Sequence, residues 1–299
     1  MSPRVTRLFG AALALTLALG AFAGLSGASA ARQTGFPNVA KVPAIAKLVP
    51  AKIRAKGTLV VASDATYAPM EKIAKDGHTV VGVDPDLAHL IGQVLGLNFK
   101  VENQTFDGII PGLQSGKYDV GMSAFTDTLA RQKVVDFVTY FSAGTSFYEK
   151  VSGSPTITGL KSLCGLTVAV ENGTTEQADA MAQSKKCTNL GKSGVTVHAF
   201  PNQNEANLDI SSGHAQVGMA DSPVAAYIVK WSHGQFKLAG NAYGTAPYGI
   251  ALPKGNGMTK PVLAAIKYLM SHGQYMTTLT NWGVQKGAIS NPKINGAIS

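Results

Sequence analysis

The 299 residues carry 45% apolar and 14% charged side chains, which is enough apolar mass for one large or two modest domains and too little charge for a disordered chain. The formal charge is +9, but the 26 lysines and arginines are scattered singly, without a run and without interleaved aromatics, which argues against a nucleic-acid surface.

At the N-terminus Arg4 and Arg7 precede an Ala- and Gly-rich apolar stretch, Leu8 to Leu25, that closes on Ala28-Ser29-Ala30. This layout predicts a secretory signal peptide over 1–30, cleaved after Ala30. No cysteine lies near that site, so no lipid anchor is expected, and no later span is apolar for long enough to cross a bilayer. Residues 31–50, with Pro37, Pro43 and Pro50 and no clear periodicity, read as a flexible leader. In an exported chain the two cysteines, Cys164 and Cys187, read first as a disulfide. Two buried free thiols are the competing reading, and without neighbouring histidines a zinc site is not expected.

Order is expected from Ala51. Gly57 to Ser63 is a compact apolar strand running into the polar turn Asp64 to Pro69, which puts Asp64 and Tyr67 at the carboxyl edge of a sheet. Asp84 to Leu95 has helical apolar spacing, with Asp84 suited to the N-cap and Pro85 to the first helical position. Phe99 to Glu102 gives the next strand. The run from Phe106 to Arg131 then holds a helix that stops at Ser115-Gly116 and a short buried strand, Tyr118 to Phe125. Its polarity changes abruptly at Ser123, Thr126, Asp127 and Thr128, and Arg131 follows in the first turn of a new helix. This alternation predicts an α/β fold with a largely parallel sheet, in which strand ends and helix N-termini receive a ligand, most naturally an anion.

From Ala143 the pattern restarts. Ser146 to Val151 reads as a strand, Gly153-Ser154-Pro155 breaks the chain, and Gly165 to Val170 is a strand ending in Glu171-Asn172-Gly173-Thr174-Thr175-Glu176. Ser212 to Met219 repeats the S-G-x-x-x-V-G-M spacing of Ser115 to Met122, so two lobes of similar construction are expected. The strand from Tyr248 and the helix Lys260 to Met270 return to the first lobe. Lobe 1 is thus expected over 51–144 and 245–299 and lobe 2 over 145–244, with crossings near 142–146 and 243–248 forming a hinge.

No G-x-S-x-G, H-E-x-x-H or histidine pair at metal spacing occurs, and Gly191-Lys192-Ser193 lacks the leading glycine of a phosphate loop, since Lys186 stands there. No catalytic residue, metal or cofactor is expected. Arg131 offers a planar fork for a carboxylate, aided by N–H groups after Ser123 and around Thr174 and Thr175. Asp221, at the end of the second glycine-methionine strand, offers a carboxylate to an ammonium group, and Tyr67 and Phe106 offer flat apolar faces. Together they describe a site for an α-amino acid; membership of ordinary surface ion pairs is the competing reading for Arg131 and Asp221.

At these residues the chain resembles the bacterial extracellular solute-binding proteins of family 3, the amino-acid-binding components of polar amino-acid ABC importers. The resemblance is carried by SDATYAPME at 63–71, VGVDPDLAHLIGQVLG at 81–96, FDGIIPGLQSGKYDVGMSAFTDTLARQ at 106–132, VAVENGTTEQ at 168–177 and VGMADSPVAAY at 217–227. It extends from about Gly57 to Val284. It implies a two-lobed periplasmic-binding-protein-like α/β fold of type II whose two-strand hinge closes on one amino acid. By that resemblance Arg131 holds the ligand carboxylate with backbone N–H groups at Thr126 and Thr175, and Asp221 holds the α-ammonium with Ser123 and Thr126 nearby. Tyr67 and Phe106 sandwich the side chain, Asp64 stands near the far end of a basic ligand, and Glu176 lies close to the side chain. Ala124 and Ala130 depart from the pattern of many relatives and leave the side-chain preference open between basic and amide. An acidic ligand is disfavoured because these motifs hold no spare cation. The implied partners are an amino acid and ABC permease subunits, with the protein a monomer. An exported dehydratase-like enzyme of the same fold, with Glu176 or Asp221 as general acid or base, and a ligand sensor are the alternatives. Retention in a periplasm, association with a cell surface without a lipid, and release are all left open by this reading.

Overall fold

The computed structural model describes residues 38–153 and 155–298. The expected signal peptide, 1–30, and the first part of the leader, 31–37, lie outside the described residues. Two short helices, α1 (Pro43–Ala46) and α2 (Ala51–Lys56), lead into β1 (Thr58–Ser63). A small hairpin of β2 (Lys72–Ile73) and β3 (Val80–Val81) precedes α3 (Val83–Leu95), β4 (Asn98–Asn103), α4 (Phe106–Gln114), β5 (Val120–Gly121) and α5 (Leu129–Gln132). The long strand β6 (Val135–Lys150) leads to β7 (Thr167–Glu171), α6 (Thr175–Asn189), β8 (Thr196–Phe200), α7 (Gln203–Ser211), β9 (Val217–Asp221) and α8 (Ser222–Trp231). A second long strand, β10 (Phe236–Pro253), returns to α9 (Thr259–Ser271) and α10 (Gln274–Asn281).

The strands run in the order β4-β1-β5-β10-β6-β9-β7-β8. The parallel triplets β4-β1-β5 and β8-β7-β9 are the sheets of two lobes, and the antiparallel pair β6 and β10 passes through both. Ala251 of β10 pairs with Gly121 of β5, whereas Thr145 to Tyr148 of β6 pair with Asp221 to Gly218 of β9. The register between β6 and β10 shifts twice where the chain crosses, between Ala239 and Tyr243 and between Tyr243 and Ala246. Such irregularities weaken a ladder locally.

The repeated S-G-x-x-x-V-G-M segments have the same job in each lobe. Ser115 and Ser212 are C-caps, and Gly116 and Gly213 take φ +76° and +84°, the left-handed region that ends a helix without a Cβ clash. Each then feeds the strand next to the crossing pair, β5 beside β10 and β9 beside β6.

Several elements differ from their expectation. From residue 38 the segment expected as a flexible leader lies against α3: Val42 N–H donates to Val94 O at 3.0 Å and Val39 N–H to Gln93 Oε1 at 2.8 Å. Val39, Val42, Ile45 and Val49 recur at helical spacing and join the core, a pattern that the prolines around them obscure. Asp84 is not the N-cap of α3; Gly82 is, and the Asp84 carboxylate instead accepts Ala124 N–H at 2.8 Å and Tyr140 O–H at 2.6 Å. β6 begins at Val135 rather than Ser146, because a strand buried on both faces shows no alternation to mark its start. β5 is shorter than the expected Tyr118 to Phe125. Cys164 and Cys187 form a disulfide with Cα atoms 5.6 Å apart, tying the segment before β7 to α6.

Candidate functional site

The carboxyl ends of β1, β5, β7 and β9 converge, as open α/β sheets require of a ligand crevice. Asp64 and Tyr67 follow β1, Phe106 opens α4, Ser123 and Thr126 follow β5, and Arg131 sits in α5. From the other lobe come Thr174, Thr175 and Glu176 at the start of α6 and Asp221 at the end of β9. All of these line one cavity, together with Ala124 and Glu171. The cavity is small, about 10 Å³, so its walls are close together.

Arg131 is placed by the N-cap of its own helix, where Thr128 Oγ1 accepts its N–H at 3.2 Å. Its guanidinium donates Nη1 to Thr126 O at 2.9 Å and, across the cleft, Nη2 to Gly173 O at 3.0 Å. It also faces the rings of Phe106 and Phe125 at 5.2 and 5.4 Å, a cation–π geometry, and those rings stack at 4.5 Å. Burial lowers its pKa, and the charges of Glu176 and Asp221 oppose that shift. Thr126 bridges to Tyr248 in the wide position, since Asp127 N–H bonds Pro247 O and Gly249 N–H bonds Phe125 O; its own amide therefore points away from that strand, on the side of the guanidinium.

α6 begins with Thr174 as N-cap, its Oγ1 accepting Gln177 N–H at 3.2 Å and donating to Glu171 O at 2.7 Å. This Thr-x-x-Gln spacing is the sequence signature of a helix start. Glu176 is fixed by Thr145 Oγ1 at 2.6 Å and Thr175 Oγ1 at 3.0 Å. Asp221 meets Tyr67, whose hydroxyl accepts the Asp221 N–H at 2.9 Å and donates to Oδ2 at 3.2 Å. Burial pushes the Asp221 pKa well up, the Glu176 charge adds to it, and Tyr67 and Arg131 pull it back.

Ser123 lines the cavity, but its hydroxyl is committed within lobe 1: it accepts Asp64 N–H at 2.8 Å and donates to Glu71 Oε1 at 2.9 Å. Ser123 thus ties Asp64 to Glu71, and its hydroxyl keeps one lone pair with which to accept from an ammonium group. Ala124 follows with φ +47°, strained for a residue with a Cβ and held there by Asp84.

Glu171 is the residue that sequence reasoning passed over. It closes an otherwise apolar strand in lobe 2 just as Asp64 follows β1 in lobe 1, and that parallel was the available signal. Asp64, Glu171 and Glu176 are each 2% exposed and Asp221 is 6% exposed. Burial raises the Asp64 pKa against the pull of Thr66, Glu171 and Phe106, and burial together with the Asp64 charge pushes Glu171 well above the carboxylate range.

A model of the bacterial extracellular solute-binding proteins, family 3, matches residues 59–285. The arginine-binding protein ArgT of Corynebacterium glutamicum is 32% identical over 255 residues, covering 85% of this chain and 83% of that protein. Among solved structures, an ancestral arginine-binding protein, bound to arginine or to glutamine, matches with a TM-score of 0.69 and 35% identity over 76% of this chain and 98% of its own. The ancestral amino acid-binding protein AncCDT-1, a precursor of cyclohexadienyl dehydratase, matches with a TM-score of 0.69 and 33% identity over 77% of this chain and 97% of its own. The chain belongs to the bacterial extracellular solute-binding proteins, family 3, and is a two-lobed solute-binding protein rather than an enzyme.

Proposed function

We propose that this protein binds a basic L-amino acid, with arginine the best fit, and delivers it as a monomer to the permease subunits of an ABC importer. The observation that carries this reading is a charge imbalance: four buried carboxyl groups, Asp64, Glu171, Glu176 and Asp221, line the cavity, and among its described lining residues Arg131 is the one cation. An α-amino acid zwitterion pairs its carboxylate with Arg131 and its ammonium with Asp221. The remaining carboxyl groups are then surplus, and a cationic side chain is what satisfies them in a low-dielectric site. Tyr67 and Phe106 supply the flat faces for its methylenes, and the amides of Thr126 and Thr175 join the carboxylate site.

The relatives support this reading in that ArgT is an arginine-binding protein and the ancestral arginine-binding protein is found with arginine and with glutamine. Entry requires the tight cavity to open, with lobe 1 (51–144 and 245–299) and lobe 2 (145–244) turning about the irregular crossing of β6 and β10. The Arg-flanked apolar stretch over 1–30 supports export, which suits a binding protein that serves an importer.

Titration calorimetry of the purified protein with arginine, lysine, glutamine and glutamate tests the assignment. Arginine or lysine should bind most tightly and glutamate not measurably. Tighter binding of glutamine than of arginine would move the ligand to the amide class, and no binding by any amino acid would sink the proposal.

A further inference from the structure

Glu171 and Asp64 line the same cavity from opposite lobes, both almost fully buried, and each carboxyl acts electrostatically on the other. The two groups are not equivalent. Asp64 accepts Thr66 N–H at 3.1 Å and Thr66 Oγ1 at 2.6 Å on one oxygen and Phe106 N–H at 3.0 Å on the other, a donor set that suits a carboxylate. Glu171 is 2% exposed, and its Oε1 has no hydrogen-bond partner among the described residues. Two carboxylates that share one small cavity away from water repel, so one of them carries a proton, and the group without donors is the one to carry it. Among the described residues that face Glu171 none supplies a cation instead: they are Asp64 at the end of β1, Glu176 on α6, Asp221 at the end of β9, and the phenols of Tyr67 and Tyr148. The Arg131 guanidinium is engaged by Thr126 O and Gly173 O.

We propose, resting on the cationic amino acid inferred above, that Glu171 is a proton-exchanging specificity residue: it holds a proton against Asp64 until a cationic side chain takes that proton's place between the two carboxylates. In this exchange the Glu171 O–H bond breaks, the proton passes to solvent, and the positive charge of the ligand replaces it, so the charge of the assembly is unchanged. A neutral amide brings no charge and leaves the proton where it is. The pair therefore separates basic from amide ligands by charge rather than by shape, and binding of a basic amino acid is linked to pH.

Calorimetry of the purified protein with L-arginine near neutral pH, in phosphate and in Tris, tests this, because the dependence of the heat on buffer ionisation enthalpy counts protons. Release of about one proton per arginine and none per glutamine is expected, with arginine affinity rising by up to about tenfold per pH unit where the pair titrates. Glu171→Gln should bind arginine more weakly, release no proton and show a flat pH profile. Arginine binding without proton release, or with equal release from Glu171→Gln, would overturn the role of Glu171 and leave the cationic ligand standing. Failure of arginine, lysine and ornithine to bind at all would overturn both. Should the variant not fold, the proton count of the parent protein decides alone.

Discussion

The Tyr67 hydroxyl is bonded twice to Asp221, accepting its N–H at 2.9 Å and donating to its Oδ2 at 3.2 Å, although the two residues are 154 positions apart and belong to different lobes. A phenol that is both donor and acceptor for one residue fixes the position of that carboxylate and closes the cleft at the same point. Arg131 with Gly173, Asp107 with Asn172 at 2.6 Å, and Thr66 with the Gln203 amide at 3.1 Å add to the seam between the lobes.

Tyr67→Phe removes both bonds while keeping the ring. It leaves a buried N–H and a buried carboxylate each short of a partner, a loss of about 1–3 kcal/mol, so the dissociation constant for arginine should rise roughly 5- to 150-fold. Unchanged affinity in calorimetry would mean that the seam does not contribute to the bound state.

Arg131→Ala should be more damaging. It strands the ligand carboxylate in a buried site and should cost on the order of 3–5 kcal/mol, several hundred-fold or more in affinity. A thermal-shift titration reads this directly, because arginine at about a hundred times the parent dissociation constant adds roughly 2.7 kcal/mol to the parent protein and should add almost nothing to the variant.

Gly173 has φ +78°, and a Cβ there would lie 3.1 Å from the Cβ of Asp107 on the opposite lobe. Gly173→Ala is therefore strained in its backbone and crowded only when the lobes meet. Affinity should fall on the order of tenfold, mainly through faster ligand release, with a smaller loss of stability in the unliganded protein. Equal release rates in stopped-flow measurements would contradict it.

Glu71 and Asp84 form a second buried acid pair beneath Ser123 and Ala124. Burial pushes Asp84 up to about 6 and, with the charge of Asp84, drives Glu71 well above its ordinary range. A folded-state pKa above the unfolded value means that the native state keeps a proton the unfolded chain has lost. The stability this provides is full below about pH 4 and declines as pH rises through 6 and beyond. Glu71→Gln preserves the acceptor for Ser123 and removes the repulsion, so the melting temperature of the variant should exceed that of the parent near neutral pH and the gap should shrink toward pH 4. A gap that widens on acidification would reverse the assignment.

The disulfide between Cys164 and Cys187 spans a sequence separation of 23. Replacing both with serine should destabilise the fold by about 3 kcal/mol in the chain-entropy model, a fall of roughly 6–12 °C in melting temperature. Arginine affinity should be little affected, since neither cysteine lines the cavity. Loss of binding in a variant that remains folded would show that the bond shapes the site.

Local patterns in the sequence determined much of this protein. Apolar periodicity placed α3 and α9, the Ser-Gly stops and glycine-methionine strands announced two similar lobes, and polar residues after the strands named Asp64, Tyr67, Arg131, Thr174, Thr175, Glu176 and Asp221, which the fold gathers around one cavity. These signals are legible because helix and strand periods, caps and strand ends are short-range properties of the chain. What only the tertiary structure decided is which polar groups meet. Ser123 spends its hydroxyl on Asp64 and Glu71, Asp84 reaches Ala124 and Tyr140 instead of capping its helix, Val39 to Val49 find a surface on the core, and Glu171 faces Asp64 from the other lobe. Each of these depends on contacts between segments far apart in the chain, and the pKa of a buried carboxyl is set by such neighbours and by the loss of water, neither of which a one-dimensional pattern records.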